Sequence, residues 1–221
     1  GTGHSRVATV LVDEHSADRG FLSWPESFPP LSAAELAPED VAGADIVLID
    51  DGDEVGLQAA LWARQAGAVV VFDGTWQSDR LDDFLPLVDH AVVGEFFARR
   101  WLPGANDDTI LRRLTDLGAG TAVLTLGERG CVALHGGARL SCPAFDVCVV
   151  DTTGAGDAFH GAFIYGLLQH WPVDDILCFA SAVAALNCRQ LGGRSGLPNL
   201  ATVEAFISNN RNTWDTGIKK V

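Results

Sequence analysis

Between Val149 and Phe159 the chain reads Val149-Val150-Asp151-Thr152-Thr153-Gly154-Ala155-Gly156-Asp157-Ala158-Phe159, an apolar run that meets a glycine-rich turn opening a helical pattern. A helix start leaves its first N–H groups without intrahelical partners and carries the positive end of the macrodipole, so backbone alone can hold an anion there. Gly154, Ala155 and Gly156 would form such an anion hole, the glycines letting a phosphate come close. A carboxylate in that turn costs Coulomb energy unless a cation or a reacting hydroxyl lies between it and the phosphate. Asp157 therefore stands where phosphoryl transfer needs a general base, accepting the hydroxyl proton while N–H groups stabilise charge on the phosphoryl oxygens. The same stretch also reads as a tight turn in which Asp157 only supports the helix N-terminus. A dinucleotide fingerprint fits poorly, because Phe159 stands where its third glycine belongs, and no G-x-x-x-x-G-K-[ST] occurs in the chain.

Those residues need a scaffold, and the rest of the sequence supplies apolar strands alternating with helical patterns. The expected strands are Ile46–Ile49, Val69–Phe72 ending at Asp73, Ala91–Val93 and Ala122–Leu126. Between them lie helices expected over Gly56–Ala66, with Leu57, Leu61 and Trp62 on one face, near Leu81–Leu87, and from Asp107 to Leu117. Continuous apolar strands between helices imply a mostly parallel sheet covered on both faces. Cys131–Leu134 and Arg139–Phe145, split by Gly136-Gly137, predict an antiparallel hairpin at the sheet edge. Helices over Ala158–His170, Asp174–Leu191 and Thr202–Ser208 should follow, then a polar, poorly ordered tail over 209–221. At the front, Val7–Asp13 and Phe21–Trp24 read as a hairpin whose turn runs through Arg19-Gly20, with Pro25, Pro29 and Pro30 breaking regular structure after it.

Composition narrows the function classes. With 15 Lys and Arg against 29 Asp and Glu, the formal net charge is −14, which repels nucleic acid and anionic membrane surfaces and leaves any phosphate site dependent on backbone N–H groups and a cation. The 5 cysteines are odd in number, lack a C-x-x-C pair and read as reduced core residues. No secretory signal pattern opens the chain and no uncharged apolar stretch reaches the roughly 18 residues of a membrane span, so the cytoplasm is the expected location. His4, His15, His90, His135 and His170 show no metal-ligand spacing, and His160, just after Phe159, could approach an acceptor but reads first as a packed helix residue. Asp50-Asp51-Gly52-Asp53-Glu54 lacks the EF-hand pattern and reads as a solvated turn, and Trp24 and Trp76 read as core or lid aromatics.

The stretch Asp151–Phe159 resembles the second signature of the pfkB, or ribokinase-like, carbohydrate kinases, D-T-x-G-A-G-D-x-F, shared by ribokinase, fructokinase and ketohexokinase. Thr125-Leu126-Gly127-Glu128-Arg129-Gly130 is similar to that family's T-L-G-x-x-G nucleotide loop, and Gly192-Gly193-Arg194-Ser195-Gly196-Leu197-Pro198 matches further downstream. The resemblance implies a three-layer α/β/α fold with a mostly parallel sheet and part of a β-lid. Residues 1–208 would be a kinase domain lacking its usual N-terminal portion, with 1–24 in the lid, and 209–221 a tail. It implies ATP-dependent phosphorylation of a sugar hydroxyl, with Asp157 as base and Gly154–Gly156 as anion hole. The nucleotide would lie near Thr125, Gly127 and Gly130, with Ser181 and Asn187 near the adenine. A K⁺ site is implied at Asp151, the Thr153 carbonyl and the loop around Gly192. Many members hold Mg²⁺ with N-x-x-E, where this chain has Gly94-Glu95-Phe96-Phe97, so Glu95 is the one carboxylate near that position. A nucleoside kinase, or a catalytically silent nucleotide-binding regulator of the same fold, is the alternative. The lid strands imply a homodimer through the N-terminal hairpin.

Overall fold

The computed structural model describes residues 4–5, 7–12, 19–27, 31–75 and 78–214. Asp13, His15, Pro29, Pro30, Trp76 and residues 215–221, all drawn into the expectations above, lie outside them. Strands β1 (Val7–Val12) and β2 (Arg19–Trp24) pair antiparallel as a separate two-stranded ribbon. Arg19 and Gly20, expected in the turn, are paired strand residues. A six-stranded sheet follows in the order β3 (Ile46–Ile49), β4 (Val69–Gly74), β5 (His90–Gly94), β6 (Thr121–Thr125), β7 (Cys131–His135) and β8 (Ala138–Cys142). The first four run parallel, and β6, β7 and β8 pair antiparallel, with β8 at the edge. Pro143 follows Cys142 directly, and lacking an N–H it cannot extend the ladder toward Phe145 as expected.

Side chains that alternate along these strands feed two separate cores, which makes the fold three-layered. Val70, Phe72, Ala91, Val93, Ala122, Leu124 and Val132 face one core, closed by helices α1 (Glu54–Ala66), α2 (Leu81–Phe84), α3 (Glu95–Trp101) and α4 (Asp107–Asp116). Val92, Val123, Cys131 and Ala133 face the other, closed by α5 (Ala155–Leu168), α6 (Val173–Asn187) and α7 (Leu200–Trp214). Burial on both faces is why these strands read as unbroken apolar runs.

Several boundaries differ from the periodic reading, each for a local reason. α1 starts at Glu54 because the Asp53 carboxylate accepts the Gly56 N–H at 2.8 Å as an N-cap. Its buried face is made of Gly56, Ala60 and Ala63, and Leu61 stays exposed, since small residues let this helix lie close on the sheet. The segment after Arg80 is α-helical only to Phe84 and continues as a 3₁₀ turn over Leu85–Leu87, where Pro86 has no N–H to bond back. α5 begins three residues earlier than expected, α6 stops at Asn187 so that Leu191 is exposed, and α7 runs on to Trp214. Four cysteines are free and buried as expected, whereas Cys148 is exposed.

Candidate functional site

The turn that opens α5 is held by two buried polar side chains. Asp151, at 2% exposure, accepts the Thr153 N–H on Oδ1 and the Gly192 N–H on Oδ2, both at 2.8 Å. It thereby joins the chain entering α5 to the loop leaving α6. Asn187, fully buried at the end of α6, donates through Nδ2 to the Thr153 carbonyl at 3.3 Å and the Gly193 carbonyl at 3.2 Å. Gly154 caps the helix with φ of 73°, in the left-handed region, and a Cβ there would stand 2.5 Å from the Gly193 carbonyl oxygen. Only glycine satisfies both the dihedral and this close approach.

Within the turn the Ala155 N–H donates to the Thr152 carbonyl at 3.2 Å and the Ala158 N–H to the Gly154 carbonyl at 2.9 Å. Between them, the N–H groups of Gly156 and Asp157 meet no backbone carbonyl. The Gly154 N–H likewise meets no backbone carbonyl, so of the expected set Gly154 and Gly156 keep free N–H groups while Ala155 is engaged. The Asp157 side chain is exposed in the first turn and borders a cavity of about 640 Å³, shared with Thr153, Gly154, Tyr165, Phe179 and Arg194. Thr125, Gly127, Gly130, Ser181 and Asn187 do not line this cavity.

A second group gathers where β5 and β6 end. Gly127–Arg129 forms a single 3₁₀ turn, closed by Gly130 through the Gly130 N–H to Gly127 carbonyl bond at 2.9 Å and the Leu126 N–H to Gly130 carbonyl bond at 2.8 Å. Thr125 donates to the Val93 carbonyl at 3.4 Å. Glu95 opens α3 with its Oε2 accepting from Arg129 at 2.6 Å and its Oε1 from Arg99 at 3.0 Å. The Arg129 hydrogen bond, helped by Arg99 and opposed by partial burial, holds the Glu95 carboxyl below its ordinary range. Both its oxygens are taken by guanidinium groups, so Glu95 as it stands does not fit a magnesium ligand. Ser181 is buried beside β7 and β8, accepting from the Cys142 thiol at 3.2 Å.

Asp73 and His160 meet beside this turn; Asp73 was not singled out from the sequence, and His160 is buried, in keeping with the packed reading favoured for it. Asp73 is the last residue but one of β4, with Thr75 Oγ1 donating to its Oδ1 at 2.8 Å and His160 Nδ1 3.4 Å from its Oδ2. Burial pushes its carboxyl up, the attraction of His160 and the Thr75 hydrogen bond work against that, and the Asp157 and Asp50 charges add to it. A carboxylate at the C-terminal end of a parallel strand is itself the signal, because ligands of open α/β sheets gather at that edge. Among the described residues no group of three His, Cys, Asp or Glu side chains is set to hold a metal ion.

The sequence profile of the pfkB family carbohydrate kinases matches residues 1–200. A ribokinase of Lactococcus lactis subsp. lactis is 30% identical over 154 residues, covering 70% of this chain and 50% of that protein. The crystal structure of a ribokinase from Thermotoga maritima superposes with a TM-score of 0.82 at 23% identity, covering 95% of this chain and 71% of that one. A putative ribokinase II from E. coli, solved in complex with ATP and Mg²⁺, superposes with a TM-score of 0.80 at 21% identity, covering 91% and 71%. The likeness to these structures bears on the fold. The chain spans about half the length of the curated relatives it matches, 50% of the first and 54% of the next.

The Glu95 ion pairs make a pH-dependent contribution whose sign follows from the lowered carboxyl. A group whose folded value lies below its unfolded one stabilises above the unfolded value and loses that contribution as pH falls. In thermal melts, Glu95→Gln should therefore be less stable than the parent at neutral pH, and the difference should shrink once pH falls below the ordinary value of 4.5. A difference independent of pH would show that the Arg99 and Arg129 contacts do not act through charge.

Proposed function

The chain belongs to the pfkB family of carbohydrate kinases, and from that premise we propose that it transfers the γ-phosphoryl group of ATP to a hydroxyl of a small sugar at the N-terminal end of α5. The observation that carries this reading is the pair of unserved N–H groups, Gly156 and Asp157, in the same turn as an exposed carboxylate. Donors fixed in place need no reorganisation when charge develops on the transferring group. Asp157 accepts the proton of the attacking hydroxyl, and a loose transition state makes its placement matter more than its basicity. The loop Thr125–Gly130 lies along the nucleotide, with Ser181 and Asn187 behind it. Magnesium accompanying the nucleotide would neutralise phosphate charge, and no step is assigned to Glu95 in holding it.

A monovalent cation fits the turn's other side. Two buried oxygens there, Thr153 Oγ1 and Asn187 Oδ1, have no hydrogen-bond partner. The Asp151 carboxylate, the Thr153 carbonyl and carbonyls of the Gly192 loop would hold K⁺, offsetting the repulsion between an acidic chain and ATP. The four buried free thiols fit a reducing compartment, which supports a cytoplasmic location, and among the described residues no helix is long and apolar enough to cross a membrane.

The β1–β2 ribbon points to a partner. Its register puts Val7 opposite Trp24 and Thr9 opposite Leu22, so Val7, Leu11, Leu22 and Trp24 share one face, each more than half exposed. A two-stranded ribbon with such a face is not stable in water by itself. The proposed occupant is the same face of a second copy, because a self-complementary apolar face closes under twofold symmetry.

The assay is sugar-dependent ADP release over a panel of pentoses and hexoses. Asp157→Asn should lower kcat at least about a hundredfold while nucleotide Kd and Tm stay near the parent's, as loss of a general base does. In the same assay potassium should support a higher rate than sodium, and a near-normal kcat in Asp157→Asn would sink the base assignment. Sedimentation should give a dimer for the parent and a monomer for Trp24→Asp. A monomeric parent would contradict the ribbon contact.

A further inference from the structure

We propose that His160, braced by Asp73, is the positioning residue that orients and polarises the Gly156–Asp157 peptide group, and so aims the Asp157 N–H of the anion hole. The proposal rests on the phosphoryl-transfer reading of this turn for its kinetic consequence, though the geometry stands independently. His160 lies six residues into α5 at 4% exposure. Its Nδ1 is 2.8 Å from the Gly156 carbonyl oxygen and 3.4 Å from Asp73 Oδ2, and its Nε2 is 3.0 Å from the Val92 carbonyl oxygen. One ring therefore joins the first turn of α5 to two neighbouring strands, β4 and β5.

Packing alone does not explain a histidine here. Burying two ring nitrogens is costly unless both are bonded, and an aliphatic or phenyl side chain would fill the space without that cost. Carbonyl oxygens only accept, so the grip on the Gly156 carbonyl is an Nδ1–H donating to it. The Asp73 carboxylate beside Nδ1 suits that arrangement, and Thr75 holds the carboxylate from its other oxygen at 2.8 Å. The charged groups facing this pair are Asp157, from the same helix, and Asp50, beyond β3.

The consequence follows from peptide planarity. The Gly156 carbonyl and the Asp157 N–H belong to one rigid plane, so gripping the oxygen fixes the direction of the N–H on the opposite side. A donor bonded to that oxygen also draws electron density from the peptide nitrogen and strengthens the N–H as a donor, the cooperativity of linked hydrogen bonds. His160 acts on the anion through this peptide without touching it.

The test compares the parent with His160→Phe, Asp73→Asn and the double variant by three readouts: Tm, steady-state kinetics, and the amide signal of Asp157 in ¹⁵N-labelled protein. His160→Phe keeps ring volume, and it should lower kcat at least about tenfold with sugar KM changed less than about threefold, since a misaimed anion-hole donor affects the transition state most. The Asp157 amide proton should shift upfield while amides in the second half of α5 stay in place. Asp73→Asn should give the same changes in smaller measure, and the double variant should be no worse than His160→Phe, because the pair acts as a unit. A lowered Tm with unchanged kcat and an unmoved Asp157 amide would overturn the proposal. Should His160→Phe fail to fold, Asp73→Asn decides by the same two readouts. A parent without turnover would count against phosphoryl transfer, and the amide shift would then decide the clamp by itself.

Discussion

The Asp151 carboxylate carries more of this architecture than any other polar group. Two N–H groups from segments 39 residues apart, Thr153 and Gly192, converge on its two oxygens inside a nearly dry site. Leaving either donor buried and unserved would cost on the order of 1–3 kcal/mol, so the carboxylate obliges the α5 entry and the α6 exit to lie side by side. Asn187 repeats the constraint from the carbonyl side, and Gly154 makes it possible by lacking a Cβ where the Gly193 carbonyl passes. The start of α5 is fixed by these contacts, and its free N–H groups follow from where it starts.

An acidic chain could hold a polyanion only by confining its favourable field to a small space. The formal charge of −14 leaves no broad basic surface to attract ATP. Backbone N–H groups at a helix end supply a local positive field that does not depend on side-chain charge, and they cannot be drawn away by neighbouring carboxylates. The two arginines at Glu95 are already committed, since Arg129 and Arg99 both pair with it and Arg99 bonds the Ala105 carbonyl and Asp107 as well, which leaves Arg194 as the arginine bordering the Asp157 cavity. These pairs tie the turn after β6 to the start of α3. The carboxylate at Glu95 thus holds the Gly127–Arg129 turn against α3.

Periodicity in the sequence was enough for the order of the strands, because strands buried on both faces cannot hide as loops, but it left out the short helix α3. It was weakest at element ends, where side chains decide the outcome: the Asp53 cap starts α1 at Glu54, two residues before the expected Gly56, and Pro143 stops β8 at Cys142. The glycine-rich turn at the start of α5 was legible from its glycines and Asp157, and His160 was weighed beside it, whereas Asp73 was not, since 87 residues separate it from His160 and only the parallel sheet brings them together. Asn187 was expected near the adenine from family likeness, and its place in the structure is a fully buried bracket behind Thr153 and Gly193. A residue that bonds two backbone carbonyls from a helix end leaves no trace in composition or spacing.

The N-terminal end of α5 is the proposed phosphate site, and backbone amide spectra of the ¹⁵N-labelled chain during titration with a non-hydrolysable ATP analogue and Mg²⁺ test that placement most directly. The largest shifts should fall on the Gly156 and Asp157 amides and saturate together with those of the Thr125–Gly130 loop. Saturable binding that leaves the Gly156 and Asp157 amides unmoved would contradict the account.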